Sequence, residues 1–455
     1  MNAPALQTGD FVQRRRRLLD AMQPGSIAVI PGARQRQRSR DIAYPFRQDS
    51  DFYYLTGFDE PDALLVLIPG RDHAESILFC RERDPDQERQ DGPILGPEAC
   101  CDSLGVDDAF PIADVDDILP GMLEGRSQIY LSMGEHRQWD LRVLAFLSDL
   151  RQQQASAGLV TGQVVDLGHL LHEQRLIKSV KEQQIMAYAA QISVDAQYHA
   201  LQALGHGVRE ADIENELLYY FRRAGAQCEA YPSIVAGGEN ACTYHYAANS
   251  AHLLAGDLVL IDAGCEYACY ASDVTRTYPV SGRFTAAQRE LYDLVLAANL
   301  AAIEACGPGV SFLAPHQAAT RVLVTGLVAL GLLDGEPDQL IAAGDHTQFC
   351  PHNISHWLGL DVHDVGDYRL GDTWRDLLPG MVLTVEPGIY IPRDHTTQHL
   401  TDEYRGIGIR IEDTILIEQK GCRVLTAELV KDPDAIETLL QANSAPVVSG
   451  QRGVA

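Results

Sequence analysis

No uncharged apolar stretch in this chain approaches the ~20 residues that a helix needs to cross a bilayer, so no membrane span is expected. Positive charge is also scarce. Against 63 Asp and Glu stand 36 Lys and Arg, a net charge of −27, which excludes nucleic acid as a partner unless a local basic patch exists. The contiguous basic run Arg14 to Arg17 is followed only by Leu18 and Leu19 before Asp20, far short of a signal-peptide core, so no export signal is expected. Ten cysteines lie scattered from Cys80 to Cys422, and a chain of 455 residues needs no disulfide staples, which points to a reducing, cytoplasmic setting. Gly237-Gly238 is followed by neither a Lys-Ser/Thr ending nor a Rossmann glycine pattern, so no phosphate loop is written there. There is no short-period repeat. What remains is ordinary globular usage, 46% apolar and 22% charged, in a length that suits two or three domains.

Short apolar runs at Ile27 to Ile30, Ala63 to Ile68, Ser76 to Phe79 and Gln128 to Leu131 alternate with polar segments, the pattern of a small α/β domain over residues 1–175. The segment Asp84 to Pro97, rich in Asp, Pro and Gly, reads as a long surface loop. A second domain is expected over residues 176–440. It opens with a capping box at Ser179 and Glu182, ahead of Ile185, Ala189 and Ile192 at helical spacing. Further helices are expected over Glu210 to Ala224 and Thr285 to Cys306, the latter with a Thr285/Gln288 box, and from a Ser311 cap to about Leu332. Strands are expected over Leu258 to Ala263, Met381 to Val385 and Gly408 to Ile417, which makes this half α+β. Residues 441–455, small and polar, read as a loose tail.

The chemically informative feature is acid placed inside apolar strand patterns. Side chains alternate faces along a strand, so Asp262 shares a face with Leu258 and Leu260, and Glu386 with Val382 and Thr384. In Ile409-Arg410-Ile411-Glu412, Arg410 and Glu412 share the other face. Asp273 is a fourth candidate. Buried ionised carboxylates must protonate or meet a cation, and several together repel, which a bound metal would relieve. Each acid taken singly reads more simply as a strand-end group paired with Arg276, Arg410 or solvent. His352, His356 and His363 crowd one segment and supply the imidazole that metal sites often use, whereas His245 between two tyrosines is a weaker signal. Cys265 and Cys269 lack a second pair and read as packed or free thiols.

The strings Leu260–Gly264, Ser272–Thr277, Ser355–Asp364, Val385–Tyr390 and Gly408–Asp413, in that order, resemble the pita-bread metallopeptidases, the aminopeptidase P family among them. The likeness covers residues 176 to 440 with high specificity and extends loosely through Asp51–Phe58. It implies an α+β protein: a catalytic pita-bread (creatinase/aminopeptidase) domain preceded by a smaller creatinase-type α/β domain. It further implies two divalent ions, Mn²⁺ first, with Zn²⁺ or Co²⁺ able to use the same groups. In that scheme Asp262 binds one ion, His356 and Glu386 the other, and Asp273 and Glu412 bridge both.

The activity implied is removal of the first residue from peptides with proline second, through a hydroxide bridging the metals. Glu386 shuttles the proton, His363 stabilises the oxyanion and His245 bonds near the scissile amide. His352 and Arg410 shape the proline pocket, although Arg410 is equally readable as a counter-ion for Glu412 or Asp262, and Asp262 also takes the free amino terminus. A homo-oligomer, dimer or tetramer, is the family habit. One departure stands out: where the family often has Trp, this chain has Gln90. The rival readings are a dipeptidase confined to Xaa-Pro and a non-catalytic pita-bread module that binds peptides or proteins.

Overall fold

The computed structural model describes residues 3–154, 162–396 and 400–444. It divides into a unit spanning Leu6–Arg175 and a second built from Leu176 onward. In the first unit, strands β1 (Ile27–Pro31), β2 (Leu64–Leu67), β3 (Ser76–Cys80), β4 (Asp108–Pro111), β5 (Gln128–Leu131) and β6 (Gln163–Asp166) form one sheet. Their order is β4-β3-β2-β1-β5-β6, parallel at β3/β4, β1/β5 and β5/β6 and antiparallel elsewhere. The four apolar runs are its central strands, and Val29, Val66, Ile77, Phe79 and Ile129 pack against Leu119, Val143 and Leu147 from the helices Val115–Leu123 and Arg137–Gln154. The two outer strands, with fewer apolar residues, escape the hydrophobic pattern.

The expected loop at Asp84 to Pro97 contains a helix, Pro85–Asp91. Proline at its first position and the Asp84 carboxylate, which accepts from the Asp86 and Gln87 amides at 2.9 and 3.4 Å, start it despite its polar composition. It buries no residue, which is why no apolar periodicity announces it.

The second unit is α+β. The Ser179 box caps the helix Val180–Ala200 and the Thr285 box caps Ala286–Glu304, both with reciprocal bonds, while Glu210–Arg223 forms a third helix. Ser311 differs from expectation. The helix there is Leu313–Ala329 with Phe312 as its cap, and the Ser311 hydroxyl accepts weakly from the Leu313 amide at 3.4 Å. The strands are β7 (Cys228–Glu229), β8 (Ile234–Gly237), β9 (Leu258–Asp262), β10 (Cys265–Tyr267), β11 (Tyr270–Ala271), β12 (Thr275–Pro279), β13 (Arg369–Leu370), β14 (Thr373–Trp374), β15 (Val382–Val385), β16 (Gly388–Ile391), β17 (Ile407–Arg410), β18 (Asp413–Ile417) and β19 (Cys422–Val424). They join as β12-β9-β8, β15-β18-β19, β16-β17, β11-β10-β7 and the hairpin β13-β14.

The single strand expected over Gly408 to Ile417 is two. β17 pairs with β16, β18 pairs with β15, and the chain changes partner at Ile411 and Glu412. Residues 441–444 belong to the helix Pro433–Ser444 rather than to a tail; the remainder of that tail lies outside the described residues.

Candidate active site

Each acid stands where a strand ends or changes partner. Asp262 closes β9, opposite Thr275 of β12 and Ile234 of β8. Asp273 lies just before β12, Glu386 just after β15, and Glu412 in the break between β17 and β18. That break is functional geometry: the Glu412 amide donates to the Thr275 carbonyl at 3.0 Å, docking the turn on β12. His356 is held alongside β15, with its carbonyl accepting from the Thr384 amide at 3.0 Å and its own amide donating to Thr384 Oγ1 at 3.2 Å.

All nine residues singled out in the sequence line one cavity of about 560 Å³: Asp262, Asp273, His356, Glu386, Glu412, His245, His352, His363 and Arg410. Asp273, His356 and Glu412 each offer a donor atom within 4.8 Å of the others. His356 Nε2 stands 3.5 Å from Asp273 Oδ2 and 3.6 Å from Glu386 Oε1. Its Nδ1–H donates to the Trp357 carbonyl at 2.9 Å, which orients the ring so that Nε2 faces the acids. The His363 ring meets His356 edge-on at 4.5 Å and is exposed, as is His245.

Arg410 is a counter-ion to Asp262, at 2.6 Å from Oδ2, with further bonds to Tyr390 Oη at 2.8 Å and Thr275 Oγ1 at 3.2 Å. Tyr390 Oη in turn lies 2.8 Å from His352 Nε2, while His352 Nδ1–H donates to Asn353 at 2.8 Å. Burial, and the positive charges of Arg410 and neighbouring histidines, push the His352 imidazole down to about 4, so it is neutral near pH 7.

Sequence reasoning missed three groups. Tyr231 Oη stands 2.6 Å from both Asp262 Oδ1 and Asp273 Oδ1, and its one proton can serve only one of them at a time. The Thr275 hydroxyl donates to Glu412 Oε2 at 2.7 Å. Thr275 and Tyr390 sat inside quoted motifs; Tyr231 carried no signal beyond a Tyr-Pro pair ahead of β8.

Four acids and one imidazole share this space with Arg410 as the cation in hydrogen-bond contact. Burial first, then the charges of Asp273, Glu386 and Asp262, drives the Glu412 carboxyl well above its usual range. Burial, with Asp273 and Asp262 beyond it, lifts Glu386 to about 7 against the pull of His356 and Arg410. Asp262 is likewise raised, chiefly by burial. Burial alone would lower His356, but the hydrogen bond to Asp273 and the charges of Glu386 and Asp273 raise it to about 9. A cluster that cannot ionise fully by itself, made of hard oxygens and one imidazole, fits divalent cations.

Such a donor set on separated strand ends is that of a metal-dependent hydrolase. The comparisons specify which: residues 184–419 match Metallopeptidase family M24 and residues 11–130 match the aminopeptidase P N-terminal domain. The chain belongs to metallopeptidase family M24, a pita-bread domain preceded by a creatinase-type α/β domain. The Xaa-Pro aminopeptidase of Escherichia coli is 45% identical over 95% of this chain and 98% of its own. Pseudomonas aeruginosa aminopeptidase PepP superposes with a TM-score of 0.93 at 48% identity, over 96% of this chain and 99% of that one. A zinc-substituted E. coli aminopeptidase P in complex with product superposes at 0.92, with 44% identity and coverage of 96% and 99%. Among the described residues no helix is long and apolar enough to cross a membrane.

Proposed function

We propose that this chain is an Xaa-Pro aminopeptidase that releases the first residue of peptides whose second residue is proline. The observation that carries the reading is the convergence of Asp262, Asp273, His356, Glu386 and Glu412 on one cavity. Two divalent ions would be held there, Asp262 on one, His356 and Glu386 on the other, with Asp273 and Glu412 shared. Manganese is the first choice, with zinc or cobalt chemically admissible. The chemistry such a pair supplies when bound is acidification of a shared water and polarisation of the scissile carbonyl.

This chain's own residues do the rest. Glu386, 3.6 Å from His356, accepts a proton and passes it to the leaving imino nitrogen. His363 and His245, exposed in the cavity wall, donate toward the developing oxyanion and the scissile amide. Neutral His352, held by Tyr390, and the aliphatic stem of Arg410 shape the seat for the proline ring. Asp262 is placed to receive the free amino terminus. A cytoplasmic location and a homo-oligomer, dimer or tetramer, belong to the same reading. The deciding experiment supplies Mn²⁺ and compares Xaa-Pro with Xaa-Pro-Yaa: cleavage of the tripeptide is expected, and turnover of the dipeptide alone would make the protein a dipeptidase.

A further inference from the structure

The N-terminal unit holds a chemical feature that the peptidase reading does not use. Cys80, the last residue of β3, and Cys100, in the helix Pro97–Leu104, are fully buried, and their Sγ atoms lie 3.6 Å apart. Cys100 is the fourth residue of its helix, and its S–H donates to the Gly96 carbonyl at 3.1 Å. All ten cysteines are free thiols, so this pair is reduced as described.

We propose that Cys80 and Cys100 form a modification site, a reversible disulfide closed by a small hydroperoxide. The Cys100 thiol gives up its proton and its sulfur attacks the peroxide oxygen, giving a sulfenic acid, while the departing oxygen takes up a proton and leaves as water or an alcohol. Cys80 sulfur then attacks the Cys100 sulfur and expels the hydroxyl as a second water. Two thiols lose two hydrogens, and the peroxide is reduced. The sulfurs need to close from 3.6 Å to about 2.05 Å.

Both sulfurs are fully buried, so the peroxide reaches them on local opening of the fold. The segment between the two cysteines carries the helix Pro85–Asp91, which buries none of its residues. Once closed, the bond rings residues 81–99 and fastens β3 to the helix Pro97–Leu104.

The test treats the full-length protein with hydrogen peroxide and counts thiols after denaturation. The count is expected to fall from ten to eight, with Cys80 linked to Cys100 in non-reducing peptide maps and full recovery on adding dithiothreitol. Oxidised protein should resist proteolysis within residues 81–99 and unfold at a higher temperature. Cys101→Ser should behave as the parent, whereas Cys80→Ala and Cys100→Ala should each prevent the linked peptide. Ten thiols remaining, a Cys101 linkage, or irreversible over-oxidation of Cys100 would overturn the proposal. Peptidase activity is scored separately, so its failure leaves this result readable.

Discussion

The side chains around the acid cluster divide into groups that would touch substrate or metal and groups that hold those in place. Glu386→Ala should lower kcat by about 10²–10⁴, the range for loss of a proton-transfer group, with the fold intact by circular dichroism. Asp273→Ala should bind fewer than two ions per chain in metal analysis of the purified protein. Undiminished activity in either variant would remove the proposed mechanism. Tyr231 is a subtler case, because its hydroxyl is shared between Asp262 and Asp273. Tyr231→Phe keeps both aspartates but frees their Oδ1 atoms to rotate. It should weaken metal affinity by about 10–100-fold while preserving kcat at saturating metal, read from activity against free Mn²⁺. Asp262, Glu386 and Glu412 drew notice in the sequence because an acid within an apolar strand is chemically expensive, whereas Asp273 and His356 joined them as ligands through the resemblance to the pita-bread family. Tyr231 did not, because a tyrosine is ordinary on either side of a protein surface and only the fold brings it to two carboxylates from different strands.

At the level of the element, periodicity identified strands where burial is continuous and failed where the chain changes partner. Gly408 to Ile417 reads as one alternating strand, yet the hydrogen bonds pass from β16 to β15 at Ile411 and Glu412. Those pairings are contacts between residues distant in sequence, so no local pattern records them. The helix Pro85–Asp91 escaped for a different reason: its cap and proline are local, but it has no apolar face to give a periodicity. Gly264 is the converse, a residue whose requirement is legible only in three dimensions. The Ser272 carbonyl occupies the place that a Cβ on Gly264 would take, because the turn bearing Asp273 approaches the end of β9 closely there. Gly264→Ala should force β9 and the Asp273 turn apart. The expected result is a loss of roughly 1–3 kcal/mol in denaturant unfolding together with weakened metal binding. A variant that unfolded normally and bound two ions with parental affinity would show that this approach is not needed.

For the whole molecule, the acidic excess of −27 meets its sharpest local expression in the cluster, so metal content should govern stability as well as activity. Without metal, Glu386 titrates near 7 and His356 near 9, both above their unfolded values. At these two groups the folded metal-free protein therefore binds more protons than the unfolded chain up to about 9, while the lowered His352 works the other way between about 4 and its ordinary value. Above that value stability falls as pH rises toward 9, since the unfolded state holds fewer protons there. Bound cations take the place of those protons, which flattens the slope and adds RT ln(1 + [L]/Kd), about 2.7 kcal/mol at a hundredfold excess over Kd. Thermal unfolding with chelator and with Mn²⁺ across this range should show two curves that converge at low pH and separate as pH rises. Parallel curves would mean that the metal binds without displacing protons from Glu386 and His356, and the proposed ligand set would have to change.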